Sequence, residues 1–230
     1  MAKHGKKYIK ALEQVKRGQV LSVDQALSKV KQLAYAKFDE SVDVHINLGI
    51  DAAKGEQVVR GSVILPFSKG KKVRILVFAK GEYAEKAEKA GADYIGAEDL
   101  IEKISGGWMD FDYAIATPDL MAMVGKVAKV LGPKGLLPNK KLGTVTFDVA
   151  DVVNDLKKGR QFFKNDKSGL VHFTIGKVSF EPTQLIQNLS TFIKALVSVK
   201  PATSKGKFLK KMTIASTMGV GLAVNADELV

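Results

Sequence analysis

The hydrophobic pattern of this 230-residue chain changes style along its length, and that change limits what it can fold into. Val42, Val44, Ile46, Leu48 and Ile50 alternate with Asp43, His45, Asn47 and Gly49, the period-two signature of a strand with one buried face and one wet face. From Val73 to Ala79 the run is apolar apart from Arg74, as in a strand covered on both faces. Beyond Arg160 the longer, half-buried style returns. The chain therefore asks for two kinds of sheet.

The first stretch predicts a helix carrying Ile9, Leu12 and Val15 and stopped by Gly18. A capping box, Ser22 to Gln25, opens a second helix with Ala26, Leu27, Val30 and Leu33 on one face. After the alternating strand and a charged turn at 53–57, a short strand is expected from Val58 to Leu65. Between 68 and 159, short apolar strands (Val73–Ala79, Gly91–Ile95, Phe111–Ala116) alternate with helices (Tyr83–Ala90, Glu98–Ile104, Pro118–Leu131, Val149–Leu156), which implies a parallel, doubly wound sheet. Next, Gln161–Phe163 and Gly169–Ile175 flank a turn and predict a hairpin. A long helix follows from Pro182 to Val199, then a linker at 201–207 and a strand-like stretch from Met212 to Val224. The similar style of the two ends predicts one domain built from 1–67 and 160–230, with 68–159 inserted in it.

Charge divides the chain at the same places. Residues 68–159 hold 15 Lys and Arg against 13 Asp and Glu, whereas the two ends together hold 21 against 11, nearly all of the net +12. Basicity confined to one part points to a polyanion as its partner, and nucleic acid is the commonest. With no cysteine, disulfides, thiolate metal sites and thiol catalysis are excluded. The basic N-terminus lacks the apolar run of a signal peptide and no stretch is long enough to span a membrane, so a soluble, cytosolic protein is expected.

Catalytic motifs are missing. His4, His45 and His172 stand far apart in sequence, and no HExxH, GxSxG or GxxxxGK[ST] pattern occurs. The first turn of the inserted segment, Ala79 to Tyr83, has one glycine and an acid where a dinucleotide phosphate would approach. In the loop Gly132-Pro133-Lys134-Gly135, proline removes a donor that an anion nest requires. Asp110, Asp112 and Asp119 read as caps and turn residues. A nucleotide-binding or small-molecule enzyme built on the inserted segment is the alternative reading. By contrast, KGKFLKKMTIASTMGVG (205–221) joins lysines to Thr213, Ser216, Thr217 and bare glycines, a mixture suited to phosphates, sugar edges and 2′-hydroxyls. Few aromatics (7%) argue against a base-stacking single-strand module, and shape-based binding to structured RNA fits better.

That stretch, with AKFDESVDVHINLGID (36–51), GGWMDFDYAIATPDLM (106–121), LGPKGLLPN (131–139) and NDKSGLVH (165–172), resembles the ribosomal protein L1 family in its bacterial form. The resemblance implies a split βαβ two-layer α/β domain made by both termini, plus an inserted Rossmann-like three-layer α/β domain. It implies a ribosomal, rRNA-binding protein that forms the mobile stalk of the large ribosomal subunit near the exit site. There it would assist release of deacylated tRNA, and it would act as translational repressor by binding the mRNA of its own operon. Matching positions for RNA binding are Lys37, Phe38, Ser41, Thr217, Met218 and Gly219, with Asp166, Lys167, Ser168 and His172 on the same surface. Lys211 stands where some relatives carry a small hydroxyl side chain. Phe38 and Met218 each have a second reading, as packing residues. Lys134, Lys140 and Lys141 are expected to make secondary RNA or tRNA contacts. No enzyme activity, cofactor, metal or membrane partner is expected, and the free protein is expected to be a cytoplasmic monomer.

Overall fold

The computed structural model describes residues 5–16, 18–68, 73–204 and 206–226; His4, the lysine-rich turn at 69–72 and Lys205 of the linker lie outside the described residues. The chain divides into two compact units, one from both ends (1–69 and 162–230) and one from 70–161. The first begins with helix α1 (Lys6–Glu13), strand β1 (Val20–Leu21), helix α2 (Val23–Leu33) and strands β2 (Ser41–Leu48) and β3 (Arg60–Ile64). The second holds β4 (Ile75–Phe78), α3 (Glu82–Lys89), β5 (Tyr94–Gly96), α4 (Glu98–Ser105) and β6 (Tyr113–Ala116), then the short α5 (Met121–Val124), α6 (Ala128–Leu131) and α7 (Val149–Lys157). The chain returns through β7 (Arg160–Lys164) to β8 (Leu170–Lys177), α8 (Pro182–Ser198), β9 (Leu209–Ser216) and β10 (Leu222–Val224).

In the unit made by the chain ends, alternation along β2 is realised residue by residue. Val42, Val44, Ile46 and Leu48 are buried, while Asp43, His45 and Asn47 stay half-exposed. The sheet runs β1-β10-β9-β2-β8, antiparallel except where β1 joins β10. Helix α2 (Ala26, Leu27, Val30) and helix α8 (Leu185, Leu189, Phe192, Ile193, Leu196) join the buried strand face in one core. Ser22 caps α2 by accepting from the Gln25 N–H, and Glu181 with Gln184 forms a capping box at α8. At the centre, Phe173 stacks on Phe192 with centroids 4.1 Å apart, and the Phe163 ring meets Phe192 edge-on at 5.5 Å. Gly61 of β3 lies flat on that third ring: a Cβ there would come 2.5 Å from Phe163 Cζ.

In the other unit, β4 stands between β5 and β6, and all three run parallel. Every β4 residue is buried, as the continuous apolar run requires. Leu76 and Phe78 pack with Leu100, Ile104, Val124 and Leu131, while α3 lies against α7 and β4. Helices thus cover this small sheet on both faces.

Four local expectations are corrected. α1 ends at Glu13, and Ile9 is exposed; the helix docks through Ala11, with Tyr8, Leu12 and Val15, against Leu33 and Val220. Periodicity supplies a stripe, but the tertiary partner chooses which edge of it is buried. No hairpin forms between β7 and β8, which share only the bridge Asn165–Val171, because β7 pairs with β3. Asn165 locks that choice: its N–H donates to the Val59 carbonyl and its side chain accepts from the Val59 N–H at 2.8 Å. The helix expected from Pro118 to Leu131 is broken into α5 and α6 by 3₁₀ turns at Pro118–Leu120 and Gly125–Val127, the second at the glycine that weakens an α-helix. The stretch Met212–Val224 is two strands, β9 and β10, folded back over the turn at 217–221.

Removing the central ring tests this packing. Phe192→Ala is expected to lower stability by about 3–5 kcal/mol in urea unfolding followed by circular dichroism, since it empties a site that two other rings share.

Candidate nucleic-acid interface

One buried carboxylate organises the end of the sheet where β2 begins. Glu40 is 1% exposed, and its two oxygens accept from the Ala36 N–H at 2.8 Å and the Met218 N–H at 3.1 Å. Burial alone would raise its pKa, but hydrogen bonds from the Ser216 side chain and the Ala36, Met218 and Tyr35 backbone outweigh that and hold it below the ordinary value. The Tyr35 hydroxyl donates to the Met218 carbonyl at 2.7 Å. The Ser41 N–H donates to Thr217 Oγ1 at 2.9 Å, and the Thr217 N–H donates back to the Ser41 carbonyl at 3.0 Å. Residues 35–41 and 216–219 are therefore bonded into one platform, although 178 positions separate Glu40 from Met218.

On this platform the apolar side chains face outward. Phe38 is 56% exposed and Met218 50% exposed, beside exposed Lys37 and Thr217. The structure thus decides both open readings against packing in the core. Gly219 has a reason inside the chain, because a Cβ there would sit 2.3 Å from Ser216 Oγ, the hydroxyl bonded to Glu40. The Ser41 hydroxyl is engaged as well, accepting from Lys177 Nζ at 2.8 Å.

The other candidate residues lie elsewhere on the sheet. The Leu48 N–H donates to the Gly169 carbonyl, which puts the turn of Asp166, Lys167 and Ser168 at the far end of β2. Eight strand residues separate the two ends by roughly 24 Å. Asp166 shapes that turn by accepting from the N–H groups of Ser168 and Leu170, each at 2.8 Å; the Leu170 bond does most to hold its pKa below the usual value. Lys211 pairs across from Asn47 near the same end, where a register shift between Asn47 and Leu48 leaves Lys210 and Lys211 both exposed. Midway, on the open face, His45 and His172 stand opposite each other with their Nδ1 atoms 2.8 Å apart. The expected surface is thus two patches joined by a histidine pair.

In the unit of residues 70–161, Lys134, Lys140 and Lys141 are all exposed. Asn139 caps the 3₁₀ turn Lys140–Leu142 by accepting from the Lys141 N–H at 2.8 Å. In the loop before it the N–H groups of Gly132 and Gly135 are spent on the Ala128 and Gly132 carbonyls, so they form no anion nest. Asp110 pairs with Arg74, and Asp112 accepts from the Arg74 N–H. Among the described residues there is no group of three His, Cys, Asp or Glu able to hold a metal, and no helix long and apolar enough to cross a membrane. Sequence reasoning missed Glu40, Tyr35 and Lys177. The only local hint was an acid, Glu40, placed where the alternating strand begins.

Comparisons with known proteins agree with one another. The sequence profile described as "Ribosomal protein L1p/L10e family" matches residues 30–220. The chain is similar to the large ribosomal subunit protein uL1 of Burkholderia lata, 54% identical over 229 residues that cover 100% of this chain and 99% of that protein.

Two outcomes are expected of the platform and the histidine pair. Glu40→Ala leaves buried N–H groups unpaired and should cost about 2–3 kcal/mol in urea unfolding, with faster amide exchange at Met218. The second concerns pH. Burial first, then His172, pushes His45 below its ordinary 6.5, so the unfolded chain takes up that proton first and stability falls as pH drops below this value. Glu40 and Asp166, held below their ordinary 4.5 and 3.8, contribute stability above those values that is lost as pH falls through their folded ones. In thermal melts from about pH 7 to pH 3, His45→Asn should flatten the first decline and leave the acid one.

Proposed function

The chain belongs to the ribosomal protein L1p/L10e family, and from that premise we propose its role. It is a structural, non-enzymatic protein of the large ribosomal subunit. Its RNA-binding domain is the unit made by both chain ends, and the inserted unit is a second lobe with a lesser share of the contacts. On ribosomal RNA it forms the mobile stalk beside the exit site of cytoplasmic ribosomes, assists the departure of deacylated tRNA, and represses its own operon through the messenger.

The observation that carries this reading is the platform held by Glu40. Ordinarily a half-exposed phenylalanine and methionine on a charged surface lose apolar contact with nothing in return. Here they flank Thr217, whose hydroxyl accepts from the Ser41 N–H, donates to the Ser41 carbonyl at 3.4 Å and keeps one lone pair to accept from a partner, and a glycine turn with little bulk. Apolar contact with a sugar or base edge, joined to a hydroxyl that meets a 2′-hydroxyl, is the chemistry of shape-based RNA recognition. The exposed lysines at 37, 167, 210 and 211 supply the phosphate attraction. Lys134, Lys140 and Lys141 make the secondary contacts of the inserted lobe.

Filter binding to a transcript of bacterial large-subunit ribosomal RNA, at several salt concentrations, tests it. Tight binding with a steep decline in log affinity against log salt is expected. Thr217→Val and Phe38→Ala should each weaken it by about 1–3 kcal/mol, while Thr217→Ser stays near the parent. Equal affinity for random duplex, or no effect of either change, sinks the assignment.

A further inference from the structure

The two histidines at the centre of the open sheet face have a geometry that the platform does not use. We propose that docking of RNA phosphodiester on this face is linked to uptake of one proton by the His45–His172 pair. The inference rests on the RNA-binding reading above.

The limit of one proton follows from the contact itself. With the Nδ1 atoms 2.8 Å apart, one ring must donate and the other must accept. A first added proton goes to the outer Nε2 of the donor ring and leaves this hydrogen bond intact. A second would have to enter between the rings, where two N–H groups would point at each other. His172 suits the donor role: its Nε2 lies 3.8 Å from Asp166 Oδ2, so a proton added there meets a carboxylate, whereas the carboxylate acting on His45, Asp43, is held by the Thr174 hydroxyl. His45 then accepts at Nδ1 and carries its hydrogen on Nε2. The rings meet at 64° with centroids 5.0 Å apart, so the pair is held edge-on by the strand register.

The surroundings set the direction of the linkage. Three charged side chains face the pair from the packed elements: Asp43 on β2, Lys211 on β9 and Asp166 in the turn before β8. Thr213 and Thr174 fill the neighbouring positions. Asp43 is engaged by the Thr174 hydroxyl at 2.5 Å, and Asp166 gives Oδ1 to two backbone N–H groups while its Oδ2 lies toward His172, so the pair already has a carboxylate at one edge and its other edge faces the open sheet. In the free protein burial first, and then His172 across the strand pair, disfavour a cation at His45. A phosphodiester laid between the two patches brings a negative charge within a few ångströms and reverses that balance. The proton comes from the buffer, no bond to carbon or phosphorus changes, and the complex is tighter at lower pH.

The experiment uses the full chain and a transcript of bacterial large-subunit ribosomal RNA, with affinity measured at constant ionic strength from about pH 5.5 to pH 8.5. Linked uptake of one proton predicts affinity that falls with rising pH, by up to about tenfold per unit at the steepest point. In His172→Asn and His45→Asn the slope of log affinity against pH should collapse whatever the change in absolute affinity, whereas simple loss of a contact lowers affinity equally at every pH and keeps the slope. Protonation of the RNA itself contributes equally to all three proteins and cancels in the comparison. Histidine Hε1 titrations by NMR, in free and RNA-bound parent protein, should show one ring of the pair moving to higher pKa on binding. Parallel pH profiles for parent and variants, or unmoved histidine titrations in the complex, overturn the linkage and leave the RNA reading intact. Absence of binding by folded protein at every pH removes the RNA reading and the linkage with it.

Discussion

Taking a carboxylate out of water is costly unless its lone pairs are filled, and Glu40 is almost wholly buried. Its oxygens are filled from both ends of the chain, by Ala36 on one side and by Ser216 and Met218 on the other. The interaction therefore works only when the start of β2 and the end of β9 are already side by side. That coupling fixes the register of the central strand pair, positions the turn at 217–219, and turns Phe38 and Met218 outward. Apolar burial would accept other arrangements of these two side chains. A buried charge accepts very few.

Away from the platform, the fold separates two tasks through the covering of its sheets. In the unit made by the chain ends, helices α2 and α8 take one face and the opposite face stays open, carrying lysine, threonine and histidine. In the unit of residues 70–161 the parallel strands are sealed by helices on both faces, and the polar chemistry moves to loops. The first arrangement offers a broad polar face to a large partner, while the second offers only its loops. Net charge follows the same division.

Much of this was legible before any coordinates. The alternation from Val42 to Leu48, the unbroken run at Ile75–Phe78 and the apolar stripe of α8 all report local periodicity, and local periodicity survives folding. What failed was pairing. The turn at 165–169 looks like a hairpin because a turn between two strands is a local signal, yet β7 finds β3 some hundred positions earlier through Asn165 and Val59. Likewise Ile9 lies at the right spacing to be buried and is not, since Leu33 and Val220 meet Ala11 instead. The candidate site divides in the same way. Exposed Lys37, Thr217 and Met218 were named from their motifs, but Glu40, which holds them, has partners that no motif connects.

By itself the sequence determined which residues are apolar at which period, where the charge is concentrated and which segments mark the family. Those are properties of neighbours along the chain, set by the 3.6 and 2.0 repeats of helix and strand. Only the tertiary structure decided that the carboxylate of residue 40 closes on the turn at 218 and that His45 meets His172 across two strands. It likewise parted the candidate surface into two patches at opposite ends of a strand. The physical reason is reach. Hydrogen bonds and ion pairs act over about 3 Å, so their partners are set by the register in which distant strands pair, and spacing along the chain does not carry that information.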